Sequence, residues 1–148
     1  MSSKLIERAR WMESQVRKRL KESRATQLLG FSLEAVESGR AVLRMDIRER
    51  HKQLHGVVHG GILAALADTT AAIAAYTMIP KGKELATVEM KINFLLPIAD
   101  SHAIAEARVL RAGRNFVVAE CEIRTRHGEL AAKALLTFGA AGGSALRR

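Results

Sequence analysis

Apolar residues recur along this chain with two different periods, and the switch between them marks out its elements. Leu5, Ala9, Met12, Val16 and Leu20 follow at steps of four, three, four and four. That spacing puts side chains on one face of a helix, so residues 4–22 are predicted to form an amphipathic helix. "ATQLLG" (25–30) reads as a short helical turn after it. "FSLEAVESGRAVLRMDIRE" then alternates as strands do and is predicted to be two strands around a Ser38–Gly39 turn. "HKQLHGVV" (51–58) breaks both periods and reads as loop. The stretch from Gly60 to Ile79 is apolar on almost every side, largely through alanine, and is predicted to be one long helix halted by Pro80 and "KGK". Alternation returns in "ELATVEMKINFLLPI", "SHAIAEARVLRAG", "RNFVVAECEIRTRHG" and "ELAAKALLTFGAA". Turns at Ala112–Gly113 and His127–Gly128 separate the last three of these strands.

A helix that is small and apolar all round has to be covered all round, and one curved sheet wrapped about it is the economical cover. The predicted fold is therefore α+β of the hot-dog kind. A long central helix lies in a curved antiparallel β-sheet, with an extra amphipathic helix at the N-terminus. This gives a basic helix over residues 1–24, a hot-dog domain over 25–140 and a C-terminal tail over 141–148. One such sheet has free edges and leaves part of its helix bare, so a homodimer, or a tetramer built as a dimer of dimers, is expected.

Composition narrows the class. Hydrophobic content of 48% and charged content of 26% are those of a soluble globular domain. The N-terminus is charged throughout and has no apolar h-region, so no secretory leader is expected. A single cysteine, Cys121, excludes an intrachain disulfide and fits a cytoplasmic location. The Gly60–Ile79 stretch is long enough to raise the question of a membrane span, but it contains Asp68. An acid at mid-bilayer costs about 2.5–3.5 kcal/mol, and a buried helix is the better reading. The formal charge of +9 is uneven: residues 1–24 hold eight basic and three acidic side chains. Basicity at the termini argues against a nucleic-acid groove in the core, and no nucleic-acid partner is expected; attraction of a nucleotide-bearing coenzyme is compatible with it.

Asp68 is the chemical oddity, a lone carboxylate in the most hydrophobic segment. It either hydrogen-bonds a neighbour such as Thr69 or works on a substrate. Gly60 and Gly61 open the same helix, where the first N–H groups lack intrahelical partners and lie at the positive end of the dipole. Glycine would let a substrate carbonyl approach those donors, giving an oxyanion site, or it would simply ease a crowded turn. Eight residues separate Gly60 from Asp68, roughly 12 Å along one axis. One small carbonyl cannot touch both, so two antiparallel helices in a dimer would have to build composite sites.

The remaining motifs are weaker. His51, His55 and His59 have the spacing of a helical metal site, but Gly56, Val57 and Val58 make this segment loop, and no metal is expected. His59 is read as orienting the glycine turn or bonding a backbone carbonyl. Cys121 points inward with Ala119 and Ile123, away from Glu120 and Glu122, as a core thiol. The chain has no Gly-x-Ser-x-Gly elbow and no Walker or dinucleotide fingerprint.

"GVVHGGILAALAD" has a histidine before two glycines and an acid nine residues after that histidine. With "TVEMKINFLLPI" and "VLRAGRNFVVAECEIRTRHGELAAKALLTF", it resembles the hot-dog acyl-CoA thioesterases of the phenylacetic-acid-degradation (PaaI-like) type over residues 25–140. The resemblance implies an acyl-CoA substrate and no separate cofactor, CoA being part of the substrate. It makes Asp68 the catalytic carboxylate, as nucleophile or as general base on water, and gives the thioester oxygen to the Gly60 N–H. Gln53 falls where relatives place an amide near the thioester or its attacking water, and Thr87 where some position water. His59, in the same turn, is grouped with these catalytic residues, and Gly61 with those that contact the coenzyme. Arg111, Gly113 and Arg114 resemble a turn that contacts the coenzyme's phosphates, although charged turn residues ordinarily face solvent. His55 stands where relatives have an apolar residue, and the basic N-terminal helix is an extension. Two other functions fit the same residues: a non-catalytic acyl-CoA-binding regulator, and a hot-dog hydratase or dehydratase.

Overall fold

The computed structural model describes residues 3–142. Two helices, α1 (Ser3–Glu22) and α2 (Arg24–Leu29), precede strands β1 (Phe31–Glu37) and β2 (Arg40–Asp46). The central helix α3 (Gly60–Tyr76) follows, and then β3 (Lys83–Phe94), β4 (His102–Ala112), β5 (Phe116–Thr125) and β6 (Leu130–Gly142). The six strands form one antiparallel sheet in the order β1-β2-β4-β5-β6-β3, which makes β1 and β3 its edges. The sheet curves around α3, as the alternating and all-apolar segments required. Of the C-terminal tail, residues 143–148 lie outside the described residues, and β6 runs to Gly142.

Alternation along the strands decides the core. Leu43, Ala105, Ile123 and Ala132 stand opposite one another across four strands and all point inward. Ala103, Ala105 and Ala107 of β4 are fully buried, and α3 answers with Ala67, Ala71 and Ala74. Small residues on both partners let helix and sheet approach closely, and Leu66, Leu136 and Phe138 fill the space at either side. The outer face carries a charge ladder instead: Arg40 binds Glu106 at 3.0 Å, and Lys133 binds Glu120 at 2.9 Å and Glu122 at 3.0 Å.

Three boundaries differ from the pattern-based expectation. The central helix ends at Tyr76 rather than Ile79. Pro80 disfavours helical backbone in the residue before it, and Thr77 closes the helix by donating its hydroxyl to Ala74 O at 2.7 Å. Strand β3 ends at Phe94 rather than Ile98, because Pro97 has no N–H for the ladder. In α1 only Val16 and Leu20 of the apolar stripe are buried, while Leu5 is 58% exposed. The helix packs mainly on β1 and α2 and reaches α3 and β3 through Arg19, so most of its stripe stays outside the core.

Candidate active site

Asp68 lies on the one stripe of α3 that the sheet does not cover. Leu63, Leu66, Ala67, Thr70, Ala71 and Ala74 face the strands, whereas Asp68, Thr69, Ala72 and Tyr76 are half-buried. Six strands wrap only part of the helix circumference, so the single chain leaves part of its helix bare, as expected of one such sheet. Asp68 faces a cavity of about 350 Å³ between α3, β3 and the N-terminal helices. Its partner is Thr87, not the neighbouring Thr69: the Thr87 hydroxyl donates to Asp68 Oδ1 at 2.7 Å.

The local sequence of β3 sets that contact. Thr87 pairs with Phe138 and Glu89 with Thr137, so Val88 is an extra residue that bulges from the ladder. A bulge of this kind re-aims the side chain beside it. Thr87 is turned toward the helix, and Val88 is left 58% exposed on the sheet edge.

The glycine turn lies two helical turns from Asp68. His59 is the N-cap of α3, and its Nδ1 accepts the Gly61 N–H at 2.8 Å. That bond occupies one of the donors otherwise free at the helix start. Ile62 N–H donates to His59 O at 2.9 Å, while no acceptor among the described residues takes the Gly60 N–H. Each glycine is also a close approach. A Cβ on Gly61 would stand 3.0 Å from His59 Nδ1, and one on Gly60 would stand 3.2 Å from the Phe94 ring.

Gln53 sits in the tight loop before this turn. Its N–H donates to Val57 O at 2.8 Å, and its Oε1 accepts the His55 N–H at 2.6 Å. With the amide oxygen so engaged, its NH2 is the group left to donate. Arg111, Gly113 and Arg114 are exposed around the β4–β5 turn, where Gly113 N–H donates to Phe116 O at 2.8 Å. Lys83, at the start of β3, donates to Arg114 O at 3.3 Å and adds a third cation that spacing did not single out.

Within one chain, then, Asp68 and Thr87 meet in the cavity, and Gln53, His59, Gly60 and Gly61 gather at the other end of α3. Sequence reasoning missed Arg19, Tyr76 and Glu84, which also line the cavity. Arg19 donates to both Glu84 carboxylate oxygens through its two terminal guanidinium nitrogens, the Nη1 contact being 2.8 Å, and lies 3.8 Å above the Tyr76 ring centroid. That pair holds the Arg19 guanidinium above its ordinary value against the opposing effect of burial. The signal for Tyr76 was present in the i, i+4, i+8 series Asp68, Ala72, Tyr76; Arg19 looks like its basic neighbours on α1.

The other candidates resolve as structural. His51 is 1% exposed, accepts the Arg48 N–H on Nδ1 at 3.0 Å and donates from Nε2 to Leu29 O at 2.9 Å. Among the described residues no cluster of three histidines, cysteines or acids could hold a metal. Cys121 is buried, and burial pushes its thiol up to about 12, far from a reactive thiolate. No helix among the described residues is long and apolar enough to cross a membrane.

Comparison with known proteins agrees with this geometry. The family model of the thioesterase superfamily matches residues 55–132, from the loop before the glycine turn into β6. A protein of Saccharolobus solfataricus that carries an esterase name is 38% identical over 100 residues, 68% of this chain and 71% of its own. The crystal structure of a thioesterase family protein from Silicibacter pomeroyi superposes with a TM-score of 0.85 at 28% identity, covering 89% of this chain and 99% of that one. The PaaI protein of the E. coli phenylacetic acid degradation operon has the same fold, with a TM-score of 0.84 at 24% identity over 91% of this chain and 96% of its own. The chain belongs to the thioesterase superfamily, and is a thioester hydrolase with the hot-dog fold of the PaaI-like type.

Proposed function

We propose that the protein hydrolyses acyl-CoA thioesters to the free acid and CoA, in sites shared between two copies of the chain. The observation that carries this reading is the Asp68–Thr87 pair at the mouth of a cavity, with an unclaimed Gly60 N–H roughly 12 Å away along the same helix. A thioester gathers negative charge on its oxygen during attack, and a preorganised N–H at that oxygen contributes about 3–4 kcal/mol. The Gly60 N–H of one copy supplies this donor to a carbonyl held beside Asp68 of the other. With Oδ1 bonded to Thr87, Oδ2 is the oxygen that takes a proton from the water attacking the carbonyl carbon, or that itself attacks this carbon to form a mixed anhydride, which water later cleaves to the free acid. The thiolate of CoA then leaves, and its phosphates meet Lys83, Arg111 and Arg114 at the β4–β5 turn.

The β3 edge supports a two-copy site. It presents unpaired backbone groups, with Val88, Phe94 and Leu95 each more than half exposed beside it. An edge strand of that length with apolar side chains invites a second copy of itself.

Two variants test the proposal. Asp68→Asn is expected to lower kcat by about 100- to 10,000-fold while acyl-CoA binding persists. Mixing subunits of Asp68→Asn with subunits of Gly60→Ala should restore activity, since a mixed dimer then holds one intact site. Free-thiol release is the readout. A mixture no more active than its two parents would remove the shared site, and wild-type binding without turnover would favour the regulator.

A further inference from the structure

We infer that Tyr76, clamped by the Arg19–Glu84 pair, is the end stop of the acyl chamber, so that the site takes compact acyl groups and refuses long fatty ones. This rests on the acyl-CoA reading above. The chamber runs along α3 from Asp68 past Ala72 to Tyr76, residues that share a face at steps of four. Ala72 leaves room in the middle, and Tyr76 closes the far end roughly 12 Å of helix from Asp68. Val16 and Leu20 of α1 form the roof. At about 350 Å³ the chamber is at the small end of ligand-sized cavities.

Beyond the tyrosine lies a second cavity, of about 210 Å³, bounded by Trp11 and Met12 of α1 and by Ile79 and Pro80. Tyr76 is the residue that lines both. Its ring therefore stands between the chamber that Asp68 lines and this annex, which Arg8, Gln15 and Lys81 also border. Arg19 lies 3.8 Å over the ring centroid and is itself bonded to Glu84 on β3, which favours this position of the ring. The extra N-terminal helix thus gains a role: it roofs the chamber, walls the annex and supplies the cation that holds the stop. Tyr76 and Arg19 are specificity-determining and positioning residues, remote from the reacting carbonyl.

The test measures hydrolysis of straight-chain acyl-CoAs of graded length and, in parallel, calorimetric binding of their non-hydrolysable thioether analogues. Wild type, Tyr76→Ala, Tyr76→Phe and Arg19→Ala are compared after thermal unfolding has shown each to be folded. Wild type should show a length beyond which kcat/KM falls about tenfold or more per added methylene. Tyr76→Ala should move that break to longer chains in both assays, Arg19→Ala should blur it, and Tyr76→Phe, which keeps the ring, should leave it in place. A folded Tyr76→Ala with the wild-type length profile overturns the inference, as does a wild type that accepts long and short chains alike. If no thioester is hydrolysed but the binding break moves in Tyr76→Ala, the stop stands and the hydrolytic reading falls. If no analogue binds at all, both fall.

Discussion

Thr87 and His51 show how differently an exposed and a buried polar group act. Thr87 holds Asp68 in one orientation through a 2.7 Å bond to a carboxylate oxygen. A hydrogen bond to a charged group contributes about 1.5–3 kcal/mol, so Thr87→Val is expected to lower kcat by roughly 10- to 150-fold with little change in thermal stability. Steady-state kinetics and a melting curve on the same preparation check both halves. His51 acts on stability instead. Burial holds its imidazole below the ordinary 6.5, outweighing the bond to Leu29 O, which raises it. The unfolded chain then accepts a proton that the folded chain resists. Stability is whole above about pH 6.5 and is lost as pH falls from there through the lower folded-state value. The carboxylates held low by ion pairs, Glu106 beside Arg40 and Glu122 beside Lys133, act below their ordinary 4.5. Melting temperatures between pH 7.5 and 5 should therefore fall for wild type and stay flatter for His51→Gln, whose absolute stability is lower at neutral pH.

At the scale of elements, the start of α3 is a cap before it is a site. A Cβ on Gly61 would crowd the imidazole that accepts its N–H, at 3.0 Å from Nδ1, so the ring would have to give by a few tenths of an ångström. Gly61→Ala is expected to push His59 off the helix end and cost about 0.5–2 kcal/mol, the ordinary worth of an N-cap. Chemical denaturation measures it, and an unchanged midpoint would mean that the ring moves aside without loss. Strand β3 shows a second local decision with a distant effect. The bulge at Val88 turns Thr87 toward the helix, and without it the period of two would place that hydroxyl on the other face.

For the whole molecule the decisive surface is the β3 edge. Phe94 is 52% exposed there, while its ring stands next to Gly60 at the tip of the central helix. The glycine turn and the edge strand are thus one continuous region, and a second copy covering the edge would also reach the Gly60 N–H. Phe94→Asp is expected to yield a folded monomer that has lost turnover. Light scattering reads the mass and free-thiol release the activity; full turnover by that monomer would exclude a shared site.

Hydrophobic period alone determined the architecture. Alternation against the 3.6-residue repeat is a local property, and so the two hairpin halves, the central helix and the antiparallel sheet were legible without coordinates. The separation of Asp68 from the glycine turn, too great for one carbonyl to touch both on one helix, was legible from rise per residue. Only tertiary structure decided the rest. Thr87 reaches Asp68 because a bulge re-aims it; the change of phase from Leu85 to Met90 and Ile92 marks a break in the strand, but only the pairing with β6 places it at Val88. Arg19 is one of eight basic side chains before residue 25, and nothing in their spacing tells the one that turns inward onto Tyr76 and Glu84 from those that meet water. Contacts between residues far apart in sequence depend on how elements pack, and packing is chosen by the complementarity of whole faces.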